Sequence, residues 1–371
     1  MGKLYTDAPF YRLKFNTEVI MLNKKLLYVV VVSLVAALLT LGVCAVQLDS
    51  NNKDAQGIYY TLDADTMTAA VGDGSSNYCN SGYSGAANGV IVIPETVEKG
   101  GNTYVVDTVS YYAFKRSANL TSVTLPATVK TIENCAFFDC TALVTVALSE
   151  GLETIGASAF AGCTVLENVA IPSTVESIGY SAFYGCKALT NVALPEGITE
   201  IGNRTFACNE NLTGVTIPAT VTSLAEGAFT ECSSLEYVAL PKDVTSIGES
   251  VFSGCTSLET LIVYKNLDTV GDNAFWSCDA ATVYLQQETK AFLAVKNSGI
   301  DYMLKGDADG DKTVGVSDAI TMLRYIAANG IITMDESSQI ASDVKRDGRL
   351  AVRDVIALLQ YIAAPDNVVL D

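Results

Sequence analysis

The sequence predicts a repeat solenoid of the α/β type, made mostly of short β-strands and turns, followed by a small all-α module. Two observations support this fold class. Seven consecutive blocks of 23 residues occur without an insertion, and a loop-and-helix pattern occurs twice near the C-terminus. Blocks of fixed length cannot bury their apolar face alone, so they are expected to stack on one another. The blocks begin at Leu120, Leu143, Leu166, Leu189, Leu212, Leu235 and Leu258.

Composition and pattern divide the chain into five segments. The prediction places an N-terminal extension before the expected start codon at 1–20, a signal peptide at 21–45, a linker with a β-hairpin cap at 46–96, the repeat solenoid at 97–300 and the all-α module at 301–371. The linker is the polar stretch 46–56, and the cap follows from strand-like alternation between turns rich in Gly, Ser and Asn. A solenoid needs such a cap, because its first coil would otherwise expose an apolar end.

The segment that begins at Met21 has the three parts of a secretory signal. Two lysines precede an apolar run at 26–43, and small residues suited to cleavage follow. We therefore expect a cleaved signal and a secreted, extracellular protein. An uncleaved membrane anchor is the alternative, because the apolar run is just long enough to span a bilayer. Lipid attachment at Cys44 is disfavoured by the bulky Val43 before it.

The composition argues against several classes of function. The formal net charge of −18 argues against nucleic acid as a partner, because phosphate binding needs clustered Lys and Arg. The chain contains no histidine, so the commonest general base, the Ser-His-Asp and Cys-His arrangements and the usual zinc ligand sets are excluded. An enzyme would have to rely on paired carboxylates.

Each block has a strand, a turn and a core position. Val169 and Ile171 alternate with polar neighbours, which predicts a short strand with these side chains pointing inward. A proline ends the strand, a glycine marks a turn that needs a positive φ or a close backbone approach, and one phenylalanine fills the core. The glycines are Gly156, Gly179, Gly202, Gly248 and Gly271, and the phenylalanines are Phe137, Phe160, Phe183, Phe206, Phe229, Phe252 and Phe275.

Cysteine recurs three residues after the core phenylalanine. Neighbouring coils about 4.8 Å apart are within disulfide range, but side chains in a ladder point the same way and do not easily form the torsion of about 90°. In one block Asn209 replaces the cysteine and Cys208 is displaced by one, which indicates that the position supplies a hydrogen bond to the next turn. We predict buried, inert thiols, with a redox or metal role as the alternative, at Cys140, Cys163, Cys186, Cys232, Cys255 and Cys278.

The blocks follow the pattern L-x-x-V-x-[LI]-P-x-x-[VLI]-x-x-[IL]-x-x-x-A-F-x-x-C. This pattern resembles the leucine-rich repeats of BspA-like bacterial surface proteins over roughly residues 90–285. The resemblance implies a curved solenoid with a parallel sheet on its concave side. It also implies an extracellular protein that binds other proteins or surfaces.

The concave sheet is the predicted ligand-binding surface. Its outward positions are small and weakly polar, which suits a broad contact with a protein or polysaccharide better than a deep small-molecule pocket. A thin aromatic set, Phe138, Tyr184 and Trp276, follows the core phenylalanines; its alternatives are stacking on sugar rings and packing at an edge, and edge packing is favoured. The predicted contact residues of the concave face are Ser122, Thr145, Asn168, Asn191, Tyr237 and Thr260.

The duplicated C-terminal pattern predicts calcium binding. Hard oxygen ligands at loop positions 1, 5 and 12 can converge on one cation, with a backbone carbonyl from position 7. The last carboxylate also lies at the start of a helix, where the helix dipole favours it. The first loop supplies Asp307, Asp309, Asp311, Asp318 and the carbonyl of Thr313, and the second supplies Asp343, Asp347, Asp354 and the carbonyl of Arg349.

This tandem loop and helix at 306–364, with matching YIAA helix ends, resembles a dockerin. The resemblance implies attachment to a cohesin module of a scaffold in a cellulosome-type, cell-surface complex. The Ser-Thr pair often seen at loop positions 10 and 11 is replaced by Val-Ser and Val-Arg, which leaves the cohesin type and two-way docking open. By position in the motif, the residues that face cohesin are Val316, Ser317 and Arg324, then Val352, Arg353 and Gln360.

The second loop carries Lys345 at position 3, with three arginines nearby, so we expect it to bind calcium more weakly than the first. The combined prediction is a secreted, non-catalytic binding or adhesion protein docked on a scaffold for polysaccharide degradation. The alternatives are an enzyme or enzyme-associated subunit of plant polysaccharide breakdown, and a rigid spacer or inhibitor.

Overall fold

The computed structural model describes residues 10–15, 18–23, 45–72, 89–263, 266–279, 281–285, 295, 301–304, 307–308, 314, 316–327, 350 and 352–363. The chain forms two compact units, Met1–Val46 and Gln47–Asp371. Within the described ranges, no helix is both long enough and apolar enough for a membrane span.

The N-terminal unit contains an antiparallel hairpin of β1 (Phe10–Phe15) and β2 (Glu18–Asn23). The expected start at Met21 lies inside β2, paired with Arg12. The apolar run at 26–43, on which the signal prediction rests, lies outside the described residues.

The cap is a small mixed sheet. Strand β5 pairs antiparallel with β4 and parallel with β8, and β7 pairs antiparallel with β8. The strands are β3 (Val46–Gln47), β4 (Tyr60–Asp63), β5 (Thr68–Val71), β7 (Thr96–Lys99) and β8 (Asn102–Val109).

The prediction of a linker at 46–56 is wrong, because this stretch is a structured part of the cap. Asp54 is buried, and its Oδ1 accepts hydrogen bonds from the backbone N–H groups of Gln56 (2.8 Å) and Ile58 (2.9 Å). The hydroxyl of Tyr60 lies 3.1 Å from the other carboxylate oxygen. Polarity suggested a solvated segment, but here the polar side chains satisfy the backbone of a turn.

The first side of each solenoid coil is a strand, and these strands form a parallel ladder. Residues 23 positions apart pair directly, as Thr145 does with Ser122. The coil of Asn168 has only isolated bridges in place of a strand, and through them Asn168 pairs with Thr145 and Asn191. The strands are β6 (Val90–Val92), β9 (Ser122–Thr124), β11 (Thr145–Ala147), β14 (Asn191–Ala193), β16 (Gly214–Thr216), β18 (Tyr237–Ala239), β20 (Thr260–Ile262), β22 (Thr282–Leu285) and β23 (Asp301–Leu304).

This ladder extends past both predicted ends of the solenoid. It begins at Val90 in β6, before the boundary expected at 97, and it ends at Leu304 in β23, after the boundary expected at 300. The degenerate first and last coils lack the full block pattern, so the sequence did not reveal that their strands continue the sheet.

A second parallel ladder, which the sequence analysis did not predict, lies on another side of the coils; its first three strands continue the cap sheet beyond β8, and its last four form a separate sheet. Each of its strands is two residues long and consists of a small or polar residue followed by an inward apolar one. An alternation that short is too weak to predict a strand from the sequence. The strands are β10 (Thr131–Ile132), β12 (Thr154–Ile155), β13 (Ser177–Ile178), β15 (Glu200–Ile201), β17 (Ser223–Leu224), β19 (Ser246–Ile247) and β21 (Thr269–Val270).

The phenylalanines fill the core once per coil, as predicted, and the structure shows that their rings form a continuous stack. Eight rings from Phe114 to Phe275 lie with centroids 5.1–6.1 Å apart and planes within 10° of parallel. Seven of the eight are fully buried, and the last, Phe275, is nearly so. Each coil therefore buries its largest apolar side chain only with the help of its neighbours.

Two residues flank each stacked ring in the left-handed region. The residue two positions before and the one two positions after each phenylalanine have φ between 53° and 77°, and most are not glycine. This conformation aims alternate N–H groups along the solenoid axis: those of Cys135, Phe137 and Asp139 donate to carbonyls 22 residues further on, at 2.9, 2.8 and 2.8 Å. These hydrogen bonds between neighbouring coils offset the backbone strain of the left-handed conformation, which is about 1–2 kcal/mol per residue.

The turn glycines have a different role. Of the two alternatives, close backbone approach is the correct one: a Cβ on Gly156 would lie 2.6 Å from the backbone N of Asn134, and one on Gly271 would lie 2.4 Å from the N of Glu249. Their φ angles are outside the left-handed region. Gly202 is the exception, because its nearest contact would be 3.4 Å away.

The C-terminal segment contains two described helices, α1 (Val316–Ala327) and α2 (Val352–Ala363). They pack through a small apolar core centred on Met322 and Leu358. The other members of that core are Ala308, Ala319, Val355 and Ala357, with Val314, Leu350 and Ile362 packed against it.

Candidate functional site

The predicted ligand residues lie in one row along the first ladder, which we call the strand face. Consecutive members pair in register, from Ser122 through Tyr237 to Thr260. Gly214 occupies the same row between Asn191 and Tyr237. The 23-residue period predicts this register directly, because the side chains at one block position must share one face.

The strand face is uncharged and open. Asn168, Asn191 and Tyr237 are exposed, and Tyr237 keeps half of its surface accessible. The neighbouring Gly214 leaves a gap beside that ring, where an added Cβ would lie 3.0 Å from Oδ1 of Asn191. Two amides in consecutive coils, and one aromatic ring two coils further on, offer hydrogen bonding together with apolar contact.

The cysteine row is buried and carries structural hydrogen bonds. Each thiol in this row donates to the carbonyl of the phenylalanine 26 residues earlier, at 2.9–3.2 Å; Cys163, for example, donates to Phe137. The thiol therefore bonds to the preceding coil, whereas the sequence analysis expected a bond to the following coil. Burial raises the pKa of Cys186 and Cys232 to about 12 and that of Cys163 well above its ordinary value, so these thiols stay protonated.

Asn209 does not replace that hydrogen bond. It is fully buried, and neither Oδ1 nor Nδ2 has a hydrogen-bond partner among the described residues. The argument that the asparagine supplies the same bond as a thiol is thus wrong. The shorter cysteine side chain reaches the carbonyl of the preceding coil, whereas the planar amide at this position does not.

The first calcium loop is partly described, and the described part fits a cation. Asp307 and Asp318, at loop positions 1 and 12, are both fully buried, and Oδ1 of Asp318 accepts a hydrogen bond from the N–H of Ala308 at 2.7 Å. Hard oxygens are the ligands that calcium prefers. With carboxylates at loop positions 1 and 12, Asp307 and Asp318 would hold the ion from the two ends of the loop.

The second helix repeats the last ligand position. Asp354 is fully buried in the first turn of α2, as Asp318 is in α1. The remaining predicted calcium ligands, Asp309, Asp311, Thr313, Asp343, Asp347 and Arg349, lie outside the described residues.

Both helices also present an apolar stripe to solvent. Of the predicted cohesin-facing residues, Val316 is more than half exposed and Gln360 is exposed, while Ser317, Arg324, Val352 and Arg353 lie on the two helices with their side chains outside the description. Four exposed apolar residues were missed: Ile320, Leu323, Ile356 and Leu359. Their spacing of four and seven residues from Val316 and Val352 was the available signal, because it places them on one helix face apart from the core face.

Comparison with known families agrees with these geometries. Residues 107–236 and 222–293 match the BspA type leucine rich repeat region, in six copies, and together they cover just over half of the chain. The chain belongs to the BspA-type leucine-rich repeat family. Residues 305–363 match the dockerin type I domain, so this BspA-type protein carries a dockerin after its repeats.

Solved structures of bacterial repeat proteins are similar to this BspA-type chain. A leucine-rich cell surface protein from Faecalibacterium prausnitzii A2-165 matches with a TM-score of 0.51 and 25% identity, over 71% of this chain and 74% of that one. A leucine-rich repeat protein from Bacteroides ovatus (TM-score 0.41, 24% identity, 67% and 75% coverage) and one from T. pallidum (0.44, 24%, 68% and 98%) are also matched. No curated protein matches the chain.

The two families fit a non-catalytic module for docking and binding in a cellulosome-type complex. Dockerin type I domains bind calcium and the cohesin modules of scaffold proteins, and both families occur in secreted, cell-surface proteins.

Proposed function

We propose that this protein is a secreted, non-catalytic binding or adhesion subunit, attached by its calcium-dependent dockerin to a cohesin-bearing scaffold of a polysaccharide-degrading complex. One observation carries the attachment: each dockerin helix combines a buried aspartate in its first turn with an exposed apolar stripe. Calcium would tie the loop to the helix start, and the stripe would then be held in place for a partner.

The cohesin interface would centre on the exposed stripes of α1 and α2. Val316, Ile320 and Leu323 lie at i, i+4 and i+7 on α1, and Ile356 and Leu359 lie at matching positions on α2. Exposed apolar side chains of this number on short helices favour an interface over a solvated surface. The exposed Gln360 would lie at its rim. The other predicted polar contacts, Ser317, Arg324 and Arg353, belong to the same proposed interface.

The signal peptide belongs to the same proposal. Cleavage after the segment 21–45 would release the cap and the solenoid outside the cell, and the chain would contact the membrane only if the signal stays uncleaved.

The strand face is the proposed target-binding surface. Its row of small uncharged residues, with Tyr237 and the neighbouring gap at Gly214, would bind a protein or polysaccharide ligand over several coils. Incubation of the purified secreted chain with plant cell wall, mucin and secreted bacterial enzymes tests this. Tyr237→Ala should reduce retention of the ligand, and turnover of a plant polysaccharide by the chain alone would overturn the non-catalytic assignment.

Calorimetry with a type I cohesin tests the attachment. Binding should occur with calcium and be abolished by excess chelator, and the double variant Leu323→Asp, Leu359→Asp should weaken it at least about tenfold. Tyr180→Ala, on an exposed ring of the repeats, is the matched control and should bind as the parent does. Cohesin binding that survives chelation would contradict the calcium dependence.

A further inference from the structure

Two rows of side chains beside the core phenylalanines change in size within three consecutive coils. One row lies one position after the stacked rings, and the other lies three positions before them. The middle coil has alanine in both rows, while its neighbours carry larger side chains. We name this set the aromatic trough, and its members are Phe138, Ala161 and Tyr184 in one row and Asn134, Ala157 and Tyr180 in the other.

The middle coil forms the floor of the trough. Ala157 and Ala161 are buried, and Ser158 between them is half-buried. In the core below, the ring centroids of Phe137 and Phe160 are 5.1 Å apart, and those of Phe160 and Phe183 are 5.4 Å apart. The two walls are therefore about 10 Å apart, which matches two ladder spacings. The trough is one coil wide; its floor is almost inaccessible to solvent, and the exposed rings of Tyr180 and Tyr184 offer the surface that a ligand could contact.

The aromatic walls are held from their outer sides. In the coil before the trough, Nζ of Lys115 lies 3.8 Å from the ring centre of Tyr112 and 5.6 Å from that of Phe138. In the coil after Tyr184, the side chain of Cys208 lies near that of Tyr184, and its interaction with the phenol raises the pKa of Tyr184. Rings held in this way lose little freedom when a ligand binds against them.

The rim offers hydrogen bonds without unbalanced charge. Oδ1 of Asn134 accepts the backbone N–H of Ala157 at 2.7 Å, which fixes the amide beside the floor and leaves its NH2 group toward the rim. Basic side chains near the trough form ion pairs across neighbouring coils: Arg116 with Asp139 at 3.4 Å, Lys187 with Glu210 at 2.6 Å and Arg204 with Glu226 at 3.0 Å. The trough is thus close to neutral in a chain of net charge −18.

We infer that the aromatic trough binds a neutral polysaccharide chain. The C–H face of a sugar ring is apolar and slightly positive, so it stacks on the negative faces of Tyr180, Tyr184 and Phe138, while its hydroxyls accept from Asn134. A polymer of uronic acids is repelled by the acidic chain. This site lies on a different part of the coil from the strand face and goes beyond the target-binding role proposed for that face.

Electrophoresis of the secreted chain in native gels that contain mixed-linkage β-glucan, xyloglucan or arabinoxylan tests the inference, with homogalacturonan as the charged comparator. The parent should be retarded by at least one neutral polymer and not by homogalacturonan. Tyr180→Ala and Tyr184→Ala should each weaken binding at least about fivefold. Tyr184→Phe keeps the ring and should bind as the parent does.

Trp276→Ala is the matched control, because this exposed ring lies in the same row as Tyr184 but four coils further on. Tyr237→Ala tests the strand face separately: a loss in Tyr237→Ala that neither Tyr180→Ala nor Tyr184→Ala shares would assign the polysaccharide to the strand face and overturn the inference. Binding of cohesin by every variant shows that the chain is folded and tests the attachment separately. Retardation by no neutral polymer, a preference for homogalacturonan, or equal losses in Trp276→Ala and Tyr184→Ala would each overturn the inference.

Discussion

The side-chain amide of Gln56 pairs with both backbone polar groups of Val92. Its Nε2 donates to the carbonyl of Val92 at 2.9 Å, and the N–H of Val92 donates to its Oε1 at 3.4 Å. Val92 lies in β6, the last strand of its sheet at the N-terminal end. One glutamine side chain thus takes the place of a neighbouring strand, and Asp54 holds the backbone of that glutamine in its turn.

Removal of this side chain should open the edge of the sheet. Gln56→Ala is expected to lower the free energy of unfolding by about 1–3 kcal/mol, because two backbone groups lose their partners. It should also promote edge-to-edge association. Sedimentation velocity and urea unfolding measure the two effects. Gln56→Glu, which can accept but not donate, should be intermediate; a monomeric Gln56→Ala of unchanged stability would contradict the role.

Asn209 should be replaceable by the residue of the other coils. Asn209→Cys is expected to raise the free energy of unfolding by about 1–3 kcal/mol, because it removes a buried amide without partners and restores the thiol bond to the carbonyl of Phe183. The reverse change in the next coil, Cys232→Asn, should lower it by a similar amount or more. Urea unfolding under reducing conditions gives both values, and a loss of stability in Asn209→Cys would refute the explanation.

The buried thiols should make the fold sensitive to alkali. Burial raises the pKa of Cys186 from 9.0 to about 12, so the unfolded chain ionises this thiol at lower pH than the folded chain does. Stability is therefore fully present below pH 9 and falls as pH rises from 9 toward 12, by roughly 1 kcal/mol per pH unit for each such thiol.

Variants that change the number of buried thiols test this slope. Between pH 9 and 10.5 or so, Cys186→Val should make the decline in unfolding free energy shallower by one thiol, and Asn209→Cys should make it steeper. Denaturation curves at several pH values measure it. Identical slopes in all three proteins would show that other groups control the alkaline transition.

Calcium should bind the two dockerin loops unequally. Asp307→Ala removes a buried ligand of the first loop and should eliminate the tight site, whereas Asp343→Ala should affect only a weaker one, because the second loop carries Lys345 and nearby arginines. Calorimetric titration of both variants with calcium distinguishes the sites. An equal loss of calcium affinity in the two variants would contradict the proposed difference between the loops.

The sequence predicted which positions share a face and missed the local backbone conformation between those positions. Tyr237 and Asn191 were placed on one face because a 23-residue period leaves no freedom in their register. The second ladder was missed because Ser246–Ile247 and its equivalents are too short to show alternation. The left-handed conformation of Ser158 was missed because glycine is the usual signal and serine is not.

Contacts between distant parts of the chain were also beyond the sequence. Gln56 and Val92 are 36 residues apart and belong to no repeat, so only the folded cap brings them together. In the dockerin, the exposed positions of Leu323 and Leu359 depend on which of two apolar stripes forms the core between α1 and α2. Periodicity alone does not decide between two such stripes.

The cross-coil contacts restrict how the array can change in length during evolution. Thiol bonds, ring stacking and ion pairs such as Lys130 with Glu153 all join residues that differ by about one block length. A deletion of 23 residues therefore joins two surfaces that already match, and it shortens the array by about 4.8 Å. A deletion of any other size would oppose unlike side chains along every row. Relatives that arise by duplication or loss should therefore differ from this chain by whole coils.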